Sequence, residues 1–256
     1  MKQVQIKQVD VFTSFAFTGN PAAVVIEADG LTLNEMQKIA KEMNLSKTVF
    51  ILKSEAKADF KVRYFTPECE LNLAGHPTIA AAYVLFEATK IFVKEPITTI
   101  TFEANAGIFP VEIYIKQGEV KKIMMTQGVP YFALFEEPLQ VLEEALRINS
   151  EEIEKAQLPV EIVSAGLPFL LVPLARIEAI EEISPDYSRL SKICENLKVI
   201  GVHLFSTEVV SPFAVEHARN FSTKVGVMEE PGTRTAIGAL GAYLVKIKVF
   251  RGSSPV

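Results

Sequence analysis

The sequence predicts an α+β protein of two related halves, each with strands wrapping one enclosed central helix. Three observations predict it. Two helical segments, Thr78–Ala88 and Thr235–Val249, are apolar almost all the way round, and a helix without a polar face has to be enclosed. Short strand-like runs punctuated by Gly and Pro lie before each of them. The same landmarks also recur in the same order. Arg63-Tyr-Phe65-Thr66, a polar turn, Gly75-His76-Pro77-Thr78 and a helix ending Ala82-Tyr83-Val84 are echoed by Arg219-Asn-Phe221-Ser222, a polar turn, Gly232-Thr233-Arg234-Thr235 and a helix ending Ala242-Tyr243-Leu244. The paired landmarks stand about 156 to 160 residues apart, as an internal duplication requires. The expected halves are 1–126, with core helix 77–88, and 127–256, with core helix 235–249.

In the first half, Val4–Phe12 and Ala22–Ile26 read as strands around the turn Thr18-Gly19-Asn20-Pro21. Leu31–Met43 carries apolar residues at Leu33, Met36, Ile39, Ala40 and Met43, which is helical spacing. Thr32 followed by Glu35 is a capping-box signature for its start. Thr48–Leu52 and Phe60–Thr66 are strands, and Thr99–Glu103, Ile108–Ile115 and Val120–Thr126 form a meander with a turn at Gln117-Gly118.

Pro130 to Pro138 reads as a connector. Beyond it come a helix at Leu139–Leu146, strands at Val160–Ser164, Phe169–Leu174, Val199–Ser206 and Phe213–Phe221, and a helix at Tyr187–Asn196.

Composition excludes several function classes. About half the residues are apolar and 22% are charged, a globular balance. The formal net charge is −5, and no basic stripe interleaves with aromatics, so no nucleic-acid partner is expected. No apolar run approaches the roughly 20 residues of a membrane span, and Met1 to Asp10 alternates instead of forming a signal peptide. Cys69 and Cys194 lie far apart with no Cys-x-x-Cys pattern, so they read as free thiols in a reducing, cytoplasmic compartment. His76, His203 and His217 show no metal-ligand spacing, so no metal is expected, and His203 and His217 read as structural. Gly-x-Gly-x-x-Gly, Walker A and Gly-x-Ser-x-Gly patterns do not occur, so no nucleotide cofactor is expected.

Chemistry is expected at the two helix starts. Helix N-termini carry unsatisfied N–H groups and the positive end of the macrodipole, so they attract anions. If the halves pack face to face, Gly75–Thr78 and Gly232–Thr235 converge on one cleft suited to a small anionic metabolite. The plain alternative is two ordinary helix starts with Gly for close packing.

Asp10-Val-Phe-Thr-Ser-Phe-Ala-Phe-Thr-Gly19-Asn20-Pro21-Ala-Ala-Val-Val25 closely resembles the opening of phenazine biosynthesis PhzF-like proteins. Asn44-Leu45-Ser46-Lys47-Thr48-Val49-Phe50, Arg63-Tyr-Phe-Thr-Pro67 and Leu73-Ala-Gly-His-Pro-Thr78 continue the pattern in order. Glu229-Glu230-Pro231-Gly232-Thr233-Arg234-Thr235-Ala236 is similar to a diverged form of the family's Glu-Asp-Pro-Ala-Thr-Gly-Ser-Ala motif. The resemblance implies the α+β diaminopimelate-epimerase-like fold, two pseudo-symmetric domains each with a curled, mainly antiparallel sheet or barrel around a central helix. It also implies a cofactor-independent isomerase that moves a proton within a small carboxylated substrate.

Carried over by position, it also implies Lys47, His76 and Glu230 as the catalytic set. Gly19, Asn20, Ser46, Gly75, Pro77, Thr78, Gly232, Thr233, Arg234 and Thr235 become the substrate-binding residues. Lys47 stands where the family has a glutamate, and a lysine, with an ordinary pKa near 10.4, is a cation at neutral pH. Glu230 stands for an aspartate and Arg234 for a glycine. Together these changes make the site more cationic than the family pattern and leave open a relative that binds an anion without turning it over. The bland readings are a solvated lysine at a strand end, His76 as a structural cap and Glu230 as a favourable charge at a helix start. The related epimerases use two cysteines beside the helix starts, whereas Ala74 and Pro231 stand there in this chain. The family commonly adds a strand pair after the last helix, and this sequence stops at Phe250-Arg-Gly-Ser-Ser-Pro-Val256. An open sheet edge is therefore expected, to be covered by a loop or a partner subunit, with a homodimer as the candidate assembly.

Overall fold

The computed structural model describes residues 3–13, 15, 17–126, 128–209, 216–230 and 234–248. The chain divides into two compact units, Met1–Gln127 and Gly128–Val256.

In the first unit, β1 (Gln5–Val11) and β2 (Asn20–Ile26) pair antiparallel. Helix α1 (Leu33–Met43) then crosses to β3 (Lys47–Leu52), which runs parallel to β2. The capping box at its start is present: the Glu35 amide donates to Thr32 Oγ1, and the Thr32 amide donates back to Glu35 Oε2 at 2.7 Å. Strand β4 (Phe60–Phe65) is antiparallel to β3 and carries the short β5 (Glu70–Leu71). Helix α2 (Gly75–Glu87) follows, then β6 (Ile97–Ala104), β7 (Gly107–Lys116) and β8 (Glu119–Met125) as a meander. The β7–β8 turn sits at Gln117 and Gly118, both at positive φ, as a tight two-residue hairpin needs.

The two faces of this sheet bury different helices. Met36 and Ala40 of α1 pack with Val25, Phe50 and Phe65, and the Phe50 and Phe65 rings meet edge-on at 5.3 Å. Alternation along a strand sends the intervening residues, Asn20, Ala22, Lys47 and Val49, to the opposite face. There lies α2, packed against β1, β2, β3, β7 and β8. Because β1 and β8 are the two ends of the strand order and both reach α2, the sheet curls round it. Only Glu87 on α2 is exposed, which answers its all-round apolar sequence. The helix begins three residues before the segment expected from the sequence. Gly75-His76-Pro77-Thr78 is therefore its first turn and not a loop leading to it, and proline is tolerated there because its missing N–H has no intrahelical partner.

The second unit contains β9 (Tyr131–Leu134), α3 (Gln140–Leu146), α4 (Glu151–Lys155), β10 (Glu161–Ser164), β11 (Pro168–Pro173), α5 (Ile177–Glu181), α6 (Tyr187–Leu197), β12 (Gly201–Ser206), β13 (His217–Phe221) and α7 (Arg234–Lys246). Its strand order is β13-β12-β11-β10-β9, with β11–β12 the parallel pair. The first unit's sequence of hairpin, helical crossover, parallel strand, antiparallel strand and core helix thus recurs. The matched Phe65 and Phe221 pair with Thr48 and Val202 respectively, so the repeat holds at the level of register.

Three expectations need correction. The supposed connector contains β9, a short run between prolines that gains its structure from pairing with β10. Two short helices, α4 and α5, went unrecognised because one or two turns show too little periodicity. Helix α7 ends at Lys246 and is not enclosed all round: Ile237, Gly238, Gly241 and Ala242 are half-buried and Val245 is exposed. It packs on β10 and β11, and five strands cover less of a helix than the first unit's curled sheet does. The expected strand at Phe213–Phe221 is described only from His217, since 210–215 lie outside the described residues. Among the described residues, no helix is long and apolar enough to cross a membrane.

Candidate active site

In the first unit three polar side chains gather where strand starts meet a helix start. Asn20 opens β2, Lys47 opens β3, and His76 lies in the first turn of α2; all three are buried, at 1%, 6% and 2% exposure. Lys47 is paired in register with Ala22, two residues from Asn20 on the same face. The bland reading of Lys47 as a solvated strand-end lysine is therefore overturned. Asn20 Nδ2 stands 3.4 Å from His76 Nδ1. A hydrogen donated to Nδ1 leaves the neutral ring's own proton on Nε2.

Local sequence explains why these residues arrive together. Gly19 adopts φ +78°, and a Cβ there would lie 2.4 Å from the Val11 carbonyl oxygen, so only glycine lets the chain turn back and enter β2 at Asn20. Asn44 closes α1 in the left-handed conformation, leaving Leu45 and Ser46 as the whole approach to β3. Ser46 Oγ is buried without a hydrogen-bond partner, an orphan hydroxyl directly beside Lys47. Thr78 is placed differently: its hydroxyl donates to the Ala74 carbonyl at 2.6 Å and meets the Tyr64 hydroxyl at 2.6 Å, so it is satisfied inside the core. Gly75 and Pro77 contribute to the helix start through their backbone. The first unit also has a recess of about 410 Å³ bounded by β1, α2 and β8, with Asp10, Phe15 and Tyr83 on its wall; Asn20, Lys47 and His76 do not line it.

In the second unit Glu230 is 3% exposed, and its amide donates to the Asn220 carbonyl at 3.0 Å. Thr235 is buried in the first turn of α7, which opens at Arg234. Pro231, Gly232 and Thr233 fall outside the described residues, as does the side chain of Arg234. By the shared register, Gly201 is the counterpart of Lys47. A Cβ on Gly201 would come within 2.4 Å of the Phe221 carbonyl oxygen, so no side chain fits. Chemistry with two matched groups, one per unit, has no second group at this position.

Neither thiol stands at a helix start. Cys194 is on α6 in the core, where burial pushes its pKa up to about 11, and Cys69 lies in the turn before β5. His203, which the sequence reads as structural, lies inside the second unit. It is fully buried on β12 opposite Asn220, neither ring nitrogen makes a well-formed hydrogen bond, and burial holds its pKa down to about 4.

The family model for phenazine biosynthesis-like proteins (PhzC-PhzF) matches residues 9–254. The chain belongs to that family. An uncharacterized isomerase, YfhB, of Bacillus subtilis strain 168 is 38% identical over 95% of this chain and 82% of its own length. A trans-2,3-dihydro-3-hydroxyanthranilate isomerase of Pseudomonas chlororaphis is 31% identical over 93% of this chain and 78% of its own length. The crystal structure of a PhzF-family phenazine biosynthesis protein from Bacillus anthracis superposes with a TM-score of 0.86 at 32% identity, covering 98% of this chain and 83% of that one. The fold is thus the diaminopimelate-epimerase-like one, and by membership this PhzF-family chain is an isomerase.

Proposed function

We propose that the chain relocates a proton within a small carboxylated metabolite, without a cofactor, and that Lys47, His76 and Glu230 serve that proton. The observation that carries this reading is a buried lysine at the start of β3, on the sheet face where Asn20 holds His76. Burial of three ionisable residues is costly unless something is gained by it.

The residue types fit distinct tasks. Glu230 is the carboxylate able to take a proton from carbon. His76 offers a proton at Nε2, the position that the Asn20 contact leaves protonated. Lys47, a cation by residue type, suits a substrate carboxylate and the negative charge that grows on it as the carbon–hydrogen bond breaks. The start of α2 adds the positive end of its dipole. The relative from Pseudomonas chlororaphis is named for an anthranilate-type substrate, which is a small carboxylate of this kind. A cytoplasmic enzyme with a small anionic metabolite as its partner, and a homodimer as candidate assembly, fits the same reading.

A second reading, binding without turnover, is favoured by one observation: Lys47 stands where the family resemblance places a glutamate. Deuterium incorporation from heavy water into candidate amino and hydroxy acids separates the two. Exchange by the wild type that drops about 10²- to 10³-fold in Lys47→Ala supports the enzyme. No exchange by the wild type, with exchange appearing in Lys47→Glu, supports the binder.

A further inference from the structure

The internal repeat contains a side-chain device that the proposed chemistry does not use. In the first unit Arg63 on β4 grips Glu70 with two parallel hydrogen bonds, Nε to Oε1 and Nη2 to Oε2, both 2.7 Å. In the second unit Arg219 on β13 grips Glu229 the same way, Nε to Oε1 at 2.7 Å and Nη2 to Oε2 at 2.8 Å. Each guanidinium also lies over the phenylalanine two residues on, Phe65 at 5.6 Å and Phe221 at 5.0 Å from the ring centre. The arginine positions correspond through the repeat, and each glutamate lies in the segment between that strand and its unit's core helix, Glu70 at the start of β5 and Glu229 in the loop after β13.

The forks are built, not incidental. Arg63 and Glu70 have side chains 24% and 22% exposed, Arg219 and Glu229 21% and 39%. Two-pronged arginine–carboxylate geometry fixes direction as well as distance, which a lysine cannot reproduce. Arg219 spends its remaining nitrogen, Nη1, on the carbonyls of Ile180 and Ile183 near the end of α5, at 3.0 and 2.8 Å. Asn105 adds a hydrogen bond to Glu70 in the first unit.

We propose that Arg219 and Glu229 form a positioning pair for Glu230, an inference that rests on the role given to Glu230 above. Glu229 is drawn outward to Arg219, while Glu230, the next residue, is turned inward and 3% exposed. The Glu230 amide is tied to the Asn220 carbonyl, and Asn220 directly follows Arg219. Side chain and backbone therefore fasten the same two-residue step of the turn onto the same two-residue step of β13. Such double fastening sets where a carboxylate points, which is what proton transfer to or from carbon depends on. The Arg63–Glu70 fork does the same for the turn that runs into His76.

The test reads positioning directly, through the exchange rate of the Glu230 amide. In Glu229→Gln, which keeps the shape but loses the charge, and in Glu229→Ala, that amide should exchange at least about tenfold faster than in wild type, with amides of β11 and β12 unchanged. Turnover, read as deuterium exchange with a carboxylate substrate, should fall about tenfold in kcat with KM within about twofold. The double variant with Arg219→Lys should lose no more than the worse single one. Unchanged protection of the Glu230 amide in both Glu229 variants overturns the proposal, as does equal acceleration of the β11 and β12 amides. Glu230→Gln separates the two levels: intact turnover there overturns the role of Glu230, and the fork is then judged on amide exchange alone.

Discussion

Gly201 occupies in the second unit the strand position that Lys47 occupies in the first. The two residues are opposites in chemistry, and the backbone explains why. At Gly201 the neighbouring strand comes so close that a Cβ would sit 2.4 Å from the Phe221 carbonyl oxygen and 2.9 Å from Ser222 Oγ. At the corresponding place in the first unit a whole lysine side chain is accommodated. The duplication kept the frame and left room for a functional group on one side of it only.

Gly201→Ala should therefore destabilise the second unit by about 1–3 kcal/mol, the usual range for forcing atoms into filled space. Gly241→Ala, in α7 with nothing within 4 Å of the added carbon, should stabilise it by about 0.5–1 kcal/mol, since alanine is the better helix former. Urea unfolding of the two variants gives both signs. A neutral Gly201→Ala would mean that the strands are not so closely apposed.

Two groups of the second unit, the buried His203 and the partly buried Glu216, should pull its stability in opposite directions with pH. His203 is held neutral, its pKa lowered to about 4 by burial, so the unfolded chain binds a proton that the folded one refuses between about 6.5 and about 4. Stability from this group falls as pH falls through that window. Glu216 has its pKa raised by burial to about 7, so the folded state holds a proton that the unfolded one has released between about 4.5 and about 7. Stability from this group falls as pH rises. Wild type should show a shallow dependence between pH 4.5 and 6.5. Glu216→Gln should make stability rise with pH there, and His203→Phe should make it fall. Equal slopes in all three proteins would refute both shifts.

What the sequence disclosed, and what it hid, follows from the range over which each interaction acts. The start of α1 was legible because Thr32 and Glu35 are three residues apart and need nothing else. The echo of Arg63 and Phe65 in Arg219 and Phe221 was legible because a repeat is a pattern in the string. The bonding of those arginines to Glu70 and Glu229 was not, since the arginine-to-glutamate spacing differs between the halves, seven residues in one and ten in the other. Strand β9 was hidden because its four residues gain their structure from Glu161–Ser164, some thirty residues downstream. Of the candidate site, Asn20, Lys47 and His76 could be named from motif likeness, but their burial and the orphan hydroxyl of Ser46 appear only when β2, β3 and α2 are assembled.

Thr32→Ala should cost about 1 kcal/mol, because the Glu35 amide loses its acceptor and Glu35 loses the hydroxyl that now donates to it. Thr32→Ser should restore most of that. Both are read by urea unfolding, and a Thr32→Ala protein as stable as wild type would show that packing of Met36 and Ala40 alone sets the helix start.

Ser46→Ala should improve stability while harming function. Ser46 Oγ is buried without a partner, and a desolvated hydroxyl left unsatisfied typically costs about 1–3 kcal/mol. Alanine removes that cost at the loss of little packing, so the variant should gain about 1 kcal/mol in urea unfolding. If the hydroxyl is instead kept for a ligand beside Lys47, the same change should weaken the thermal upshift produced by an added carboxylate, and lower exchange turnover about tenfold where turnover is measured. The two readouts are independent, because one concerns the empty protein and the other the bound one. A gain in stability with the carboxylate response intact would show that the orphan hydroxyl is a defect of packing and not part of the site.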